Sequence, residues 1–148
     1  MLKEIIIRLM RFDDIDKVYE LEAALFPNPW PRSFFEHDLI LKNTIAFIVE
    51  YENNVVGYSL ASCNNGKFHI TNIAVNKECQ REGIGTELMD RLEKIALDQG
   101  CTYAYLEVRI DNIAAIKMYE GRGYSIARRH ELYYINGDDA YVMDKELK

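Results

Sequence analysis

Gln80-Arg81-Glu82-Gly83-Ile84-Gly85-Thr86 lies between a β-branched run, Ile70 to Val75, and a segment from about Gly83 to Gln99 with apolar residues at helical spacing, stopped by Gly100. Strand, glycine-bearing loop and helix in that order make an anion cradle. Gly83 and Gly85 carry no Cβ, so a bulky ligand can approach the backbone. The first amides of the helix have no partner within it, and the helix dipole favours negative charge at that end. Lys77, Glu78, Arg81 and Glu82 cancel one another, so backbone amides rather than side-chain charge would hold a phosphate there. Gly-x-Gly also suits any tight loop entry, and the two glycines alone leave that role equally open. Two phosphate-binding motifs are excluded. A P-loop needs Gly-Lys-Ser/Thr, whereas Gly85 is followed by Thr86-Glu87; a dinucleotide fingerprint needs a third small residue where Leu88 stands.

Outward from this loop the chain alternates strands and helices. Towards the N-terminus, Glu4 to Met10 reads as a strand, and Asp13 or Asp14 caps a helix on which Ile15, Val18, Tyr19, Glu22 and Phe26 recur. Pro27, Pro29 and Pro31 end it around Trp30, and Ser33 to Glu36 reads as a capping box opening a short helix to about Leu41. Ile45 to Tyr51, Val55 to Cys63 and Phe68 to Val75 read as three strands joined by turns at Glu52-Asn53-Asn54 and Asn64-Asn65-Gly66, an antiparallel meander. Beyond the loop helix come a strand from Tyr103 to Val108, a helix capped by Asn112, and two strands, Tyr124 to His130 and Ala140 to Met143, joined through Asn136-Gly137. The order β-α-α-β-β-β-α-β-α-β-β predicts an α/β fold with a mixed sheet. The strands before and after the long helix should run parallel through a right-handed crossover.

The composition agrees with one globular domain over residues 1–148: 49% hydrophobic, 28% charged, net charge -6. A chain of this length closes a core without disulfides or a metal. Its acidic excess, shared by both halves, is a poor footprint for nucleic acid, and no apolar run reaches the length of a membrane span. Cys63, Cys79 and Cys101 match neither a zinc-ligand spacing nor a CxxC pair, and read as reduced thiols of a cytoplasmic protein that binds no metal. His37, His69 and His130 show no ligand spacing and read as surface or internally satisfied histidines.

Several blocks then repeat a known pattern in register: Asn72-Ile73-Ala74-Val75, Gln80 to Gly85, Leu106-Glu107-Val108-Arg109, Asn112 to Tyr119, Tyr119-Glu120 and Gly123-Tyr124. Together they resemble the GNAT superfamily of acetyl-CoA-dependent N-acyltransferases, and within it the RimI-type protein N-terminal acetyltransferases. The likeness is strong over about residues 70 to 143 and looser before, where Pro29-Trp30 carries it. It implies acetyl-CoA as co-substrate, with the backbone of Ile73, Ala74 and Val75 along the acetyl-pantetheine arm. Gln80, Arg81, Glu82, Gly83, Ile84, Gly85 and Thr86 would wrap the pyrophosphate, and Asn112 would also contact the cofactor. The resemblance further implies Glu107 as acceptor of the amine proton, Tyr119 as donor to the departing sulfur, and Tyr133 and Tyr134 as peptide contacts. Trp30 reads as a packing anchor held near the surface, and so also as a candidate substrate contact. Tyr124 where Phe is usual, Asp111 where Ser often precedes the Asn, and a short Glu131 to Asp139 segment depart from the pattern.

The residue chemistry is compatible. An α-amino group with a pKa near 7.7 to 8.0 is about a tenth neutral at pH 7, so one modest base suffices to free it. Tyr103, Tyr105, Glu107 and Arg109 share one strand face, and Glu107 alone would equally suit an ion pair with Arg109. Asn112 and Tyr119 share a helix face with Ala115 and Ile116, where a tyrosine also suits core packing. Two rivals stand beside N-terminal acetylation: acetylation of a lysine or small amine on the same scaffold, and an acyl-CoA sensor without turnover. The partner implied is a protein N-terminus, that of a ribosomal protein by the resemblance. Acids at Asp13, Asp14, Asp16, Glu20 and Glu22, and at Glu131, Asp138, Asp139, Asp144 and Glu146, would favour a basic peptide if they flank the mouth. Arg109, Lys117, Arg122, Arg128 and Arg129 would face the polyanionic cofactor.

Overall fold

In the computed structural model, which describes residues 4–80 and 82–147, seven strands form one mixed sheet. The elements are β1 (Ile6–Leu9), α1 (Ile15–Leu25), α2 (Arg32–Leu39), β2 (Thr44–Tyr51), β3 (Asn54–Asn64) and β4 (Lys67–Val75). There follow α3 (Ile84–Asp98), β5 (Tyr103–Arg109), α4 (Ile113–Gly121), β6 (Ser125–His130) and β7 (Ala140–Glu146). The spatial order is β1-β2-β3-β4-β5-β7-β6; β4 and β5 pair in parallel and every other neighbouring pair is antiparallel. The meander turns work because Glu52 and Asn53, then Asn65 and Gly66, take the positive φ that tight hairpin turns require.

Two cores flank the sheet. On one face α3 buries Ile84, Leu88, Met89, Leu92 and Ala96, a stripe at helical spacing, against Phe68, Ile70, Leu106 and Val108, joined by Ile116 and Tyr119 of α4. Each buried aliphatic side chain contributes roughly 1.5–3 kcal/mol. On the other face Ile15, Val18 and Phe35 of α1 and α2 pack on Ala46, Ile48, Tyr58, Leu60 and Ala74.

β4 changes face partway along. Ala61 pairs with Ile70 but Leu60 pairs with Asn72, so Thr71 is an extra residue, a β-bulge, with its Oγ1 donating to the Leu60 carbonyl at 3.1 Å. Phe68 and Ile70, before the bulge, enter the α3 core, whereas Ala74, after it, enters the α1 core. Pairing of β4 with β5 runs from Lys67–Tyr103 to Ile70–Leu106 and stops there, although β4 continues to Val75 and β5 to Arg109. The parallel pair therefore opens at its C-terminal ends.

Two expectations change. The capping box at Ser33 does not form: α2 starts at Arg32 behind Pro31, whose fixed φ of -60 suits a helix entry, and Glu36 turns to Arg32 at 3.5 Å. Cys63 and Cys101 are joined in a disulfide tying the end of β3 to the start of β5, and Cys79 is buried outside it. The 38-residue interval between Cys63 and Cys101 carried no hint of the pairing, because strand order, not spacing, brings β3 and β5 to either side of β4.

The entry to α1 rests on one carboxylate. Asp14, 8% exposed, accepts from Arg8 through both oxygens at 2.8 Å and from the Arg11 amide at 2.7 Å. The Arg8 guanidinium holds its pKa below the ordinary value against the opposing effect of burial. A depressed carboxylate stabilises the fold above its unfolded pKa, and that contribution is lost as pH falls through the lowered folded value. Asp14→Asn should cost about 1–3 kcal/mol at pH 7 in urea unfolding, and the gap from wild type should narrow towards pH 3. A pH-independent gap would assign the loss to packing.

Candidate active site

The opening between β4 and β5 is flanked by the α3 N-terminus. Gly83 caps α3 with φ 83, a conformation costly for residues with a Cβ, and no side chain caps the helix. Glu87 N–H makes the first intrahelical bond, to the Gly83 carbonyl at 3.0 Å, which leaves the amides of Ile84, Gly85 and Thr86 without intrahelical partners. A Cβ on Gly85 would meet only the Met118 methyl at 3.9 Å, an ordinary contact, so packing does not demand glycine there. Gln80 braces the loop instead of facing outward, its Nε2 donating to the Val75 carbonyl at 2.9 Å. Glu82 is half-buried, and Arg81 lies outside the described residues.

Ile73, Ala74 and Val75 form the wall on the β4 side. Each pairs with β3 on one edge, through Ser59, Tyr58 and Gly57, beyond the last β4–β5 pair on the other. Asn112 heads α4 directly after β5, its Oδ1 accepting from the Ala115 amide at 3.3 Å. Three of the basic residues expected beside a polyanion are engaged elsewhere. Arg109 pairs with Asp138, Arg122 with Asp90 and Glu93 at 2.8 and 3.0 Å, and Arg129 with Asp139 at 2.6 Å. The described groups at this end that remain available to an anion are the backbone amides of Ile84, Gly85 and Thr86.

On the α1 face of the same opening, Trp30, His69, Thr71, Glu107, Tyr133 and Tyr134 enclose about 160 Å³. Glu107 does not pair with Arg109. Its Oε1 lies 2.6 Å from His69 Nε2, and the His69 ring stacks on Tyr105 with centroids 4.2 Å apart. A bare imidazole nitrogen and a carboxylate oxygen both only accept, so this contact requires a proton between them. Arg109 instead lies over the Tyr134 ring at 4.0 Å, and Tyr133 stands edge-on to Tyr134 at 4.9 Å. Burial, followed by the Glu107 charge for Tyr133, pushes that phenol up to about 12. Tyr134 also reaches about 12, through burial opposed by Arg109. Tyr119 is buried in the α3 core, edge-on to Tyr124 at 6.0 Å; burial, with Tyr134 adding to it, holds its phenol well above the ordinary value.

Trp30 is set by a buried carboxylate. Glu22 of α1, 2% exposed, accepts from the Trp30 amide at 2.9 Å, from Asn72 Nδ2 at 2.9 Å and from the Tyr58 hydroxyl at 2.5 Å. One side chain thus ties the proline loop, β3 and the strand just past the bulge. His69, Thr71 and Glu22 escaped the sequence reading. The predicted parallel pairing was the available signal for His69, since the His69–Tyr105 register sets it diagonal to Glu107, but sequence alone does not state a register.

The model of the acetyltransferase (GNAT) family matches residues 15–124. The chain belongs to the GNAT acetyltransferase family. It is similar to an uncharacterised N-acetyltransferase of Methanocaldococcus jannaschii, 37% identical over 142 residues that span 95% of this chain and 91% of that protein. It is likewise similar to the N-alpha-acetyltransferase of Saccharolobus solfataricus, 30% identical over 158 residues, spanning 98% and 95%. Among solved structures, the ribosomal-protein-S18-alanine N-acetyltransferase from Escherichia coli superposes with a TM-score of 0.89 at 25% identity, covering 98% of this chain and 95% of that one. GNAT enzymes use acetyl-CoA as acyl donor, and the opening fits one: unpartnered helix amides at one end and a free strand edge along its length. Among the described residues no cluster of His, Cys, Asp and Glu is placed to hold a metal ion.

The two glycines separate by experiment. Gly85→Ala should leave stability unchanged while raising the acetyl-CoA KM on the order of tenfold, the loss of about one charge-assisted hydrogen bond. Gly83→Ala should instead lose about 1–2 kcal/mol of stability, from its positive φ. Steady-state kinetics and urea unfolding of both variants check this, and an unchanged KM for Gly85→Ala would mean that no phosphate approaches there.

Proposed function

We propose that this GNAT acetyltransferase transfers the acetyl group of acetyl-CoA to the α-amino group of a protein N-terminus. The carrying observation is the Glu107–His69 pair facing a small, aromatic-walled pocket at the opening between β4 and β5. The names of the S. solfataricus and E. coli proteins support the same substrate class. By extension from the E. coli protein the substrate is a ribosomal protein with a basic N-terminal segment, met in the cytoplasm.

Acetyl-CoA supplies an acetyl group activated as a thioester. Glu107 Oε1 is occupied by His69, so Oε2 receives the proton that the ammonium must lose before its nitrogen can attack. That proton leaves from Oε2 to solvent, while the Oε1–His69 hydrogen bond keeps its own proton and the adjacent Tyr105 ring keeps the imidazole in plane. As the C–N bond forms and the C–S bond breaks, Tyr119 donates a hydrogen bond to the sulfur. A thiol near 8.5 is a stronger acid than this raised phenol, so Tyr119 stabilises the departing thiolate without surrendering its proton outright. Tyr133 and Tyr134 hold the peptide end while remaining neutral.

A peptide with a free α-amine and its N-terminally blocked, lysine-bearing counterpart test the substrate class. The free peptide should release CoA thiol with kcat/KM rising through about pH 8, the α-amine range, and no fall before about pH 10, because phenols raised to about 12 keep their protons there. Acetylation of the blocked peptide as the better substrate overturns the reading. Tyr119→Phe should lower kcat by about 100-fold with acetyl-CoA affinity retained in calorimetry, and wild-type turnover would remove Tyr119 from the chemistry.

A further inference from the structure

A second cavity, about 460 Å³, opens on α2 and is lined by Trp30, Ser33, Phe34, His37 and Asp38. It shares Trp30 with the pocket that holds Glu107, so this residue borders both spaces. The Trp30 and Phe34 rings meet at 65° with centroids 5.9 Å apart, presenting two aromatic surfaces to the cavity. Phe34 is 51% exposed, an unusual setting for an aromatic side chain that could pack inward as its neighbour Phe35 does.

The charge in this cup is unbalanced. Asp38 is half-buried and takes part in no hydrogen bond or ion pair with its side chain among the described residues. Burial raises its pKa, with His37 opposing. The cation on the same helix, Arg32, is committed to Asp16 and Glu36. Several of the acids expected to draw a basic peptide are committed too: Asp14 to Arg8, Asp138 to Arg109, Asp139 to Arg129, and Glu22 to Trp30, Asn72 and Tyr58. Asp38 lines the cup without a Lys or Arg partner among the described residues. A partly desolvated carboxylate between aromatic faces suits a guanidinium or ammonium group, which gains both an ion pair and cation–π contact there.

We propose that this cup is a specificity subsite for an arginine or lysine side chain of the substrate peptide, a few residues after the acetylated amine. The proposal rests on the N-terminal reading above, since the shared Trp30 makes both spaces part of one peptide path. An extended peptide advances about 3.3 Å per residue with alternate side chains on one side, so residues 2 to 4 are those to vary.

The test uses free-amine peptides with alanine at positions 2–4 and single arginine replacements, assayed with wild type and Asp38→Asn by thiol release. Comparison is made through the arginine-to-alanine ratio of kcat/KM within each protein. One arginine position should favour wild type by about tenfold, mostly through KM, and Asp38→Asn should reduce that ratio below about twofold. Equal ratios at every position in wild type, or an arginine advantage that survives in Asp38→Asn, overturn the proposal. Trp30 is the single tryptophan, so its fluorescence reports on the cup without catalysis. An N-terminally blocked arginine peptide should change it saturably in wild type and not in Asp38→Asn. If no peptide is acetylated, the N-terminal reading fails, and this titration still decides the cup: a saturable, Asp38-dependent change supports it and no change overturns it.

Discussion

Thr71 sits one residue out of register between β3 and β4, and the sheet divides at that point. Up to Ile70 the strand behaves as half of a parallel pair, its apolar side chains in the α3 core. Past the bulge the faces exchange, pairing with β5 ends, and β4 leans on β3 alone. A continuous parallel pair would consume the strand edge that a linear ligand needs, and would seal the sheet between its two cores. The bulge therefore creates a gap at the C-terminal ends of the parallel strands, where α/β sheets place their ligands. α3 begins beside this gap, and its uncapped amides complete the site.

The gap also brings groups from opposite faces to one opening. Glu107 and His69 face the α1 side, and Tyr119 belongs to the α3 core. In an unbroken sheet they would be separated by a layer of backbone. The opening lets both approach a ligand threaded between them, with Tyr134 electrostatically coupled to each. Polar groups near this opening are satisfied in ways that fix geometry: Glu107 by His69, Arg109 by Asp138 and the Tyr134 face, Trp30 through Glu22. Glu22 is a buried carboxylate held by hydrogen bonds alone, and such a group keeps its donors in place because leaving any of them unpaired in the core is costly. Its three donors come from the proline loop, β3 and β4, the segments that surround the pocket.

The local elements were legible because their signals are local. Periodicity in α3, the Asn112 cap and the Asn-rich turns each depend on residues within a few positions. The Gly83–Gly85 loop was recognisable for the same reason, as was the common face of Tyr105 and Glu107, and Trp30, Tyr133 and Tyr134 do converge on Glu107. Ser33 misled because a capping signal and a preceding proline compete for the same helix start, and Pro31 supplies the required φ without needing a donor.

What the amino-acid order determined by itself was the succession of elements, the family pattern and the chemistry available at Glu107 and Tyr119. The tertiary structure alone decided the partner of each: His69 rather than Arg109 for Glu107, Glu22 for Trp30, and Cys101 for Cys63. It also decided that much of the charge in the charged clusters is spent on internal pairs, whereas Asp38 has no such pair among the described residues. The reason is register. A strand's sequence fixes which residues share a face, but a bulge and a crossover choose which faces meet, and these depend on packing summed over both sides of the sheet.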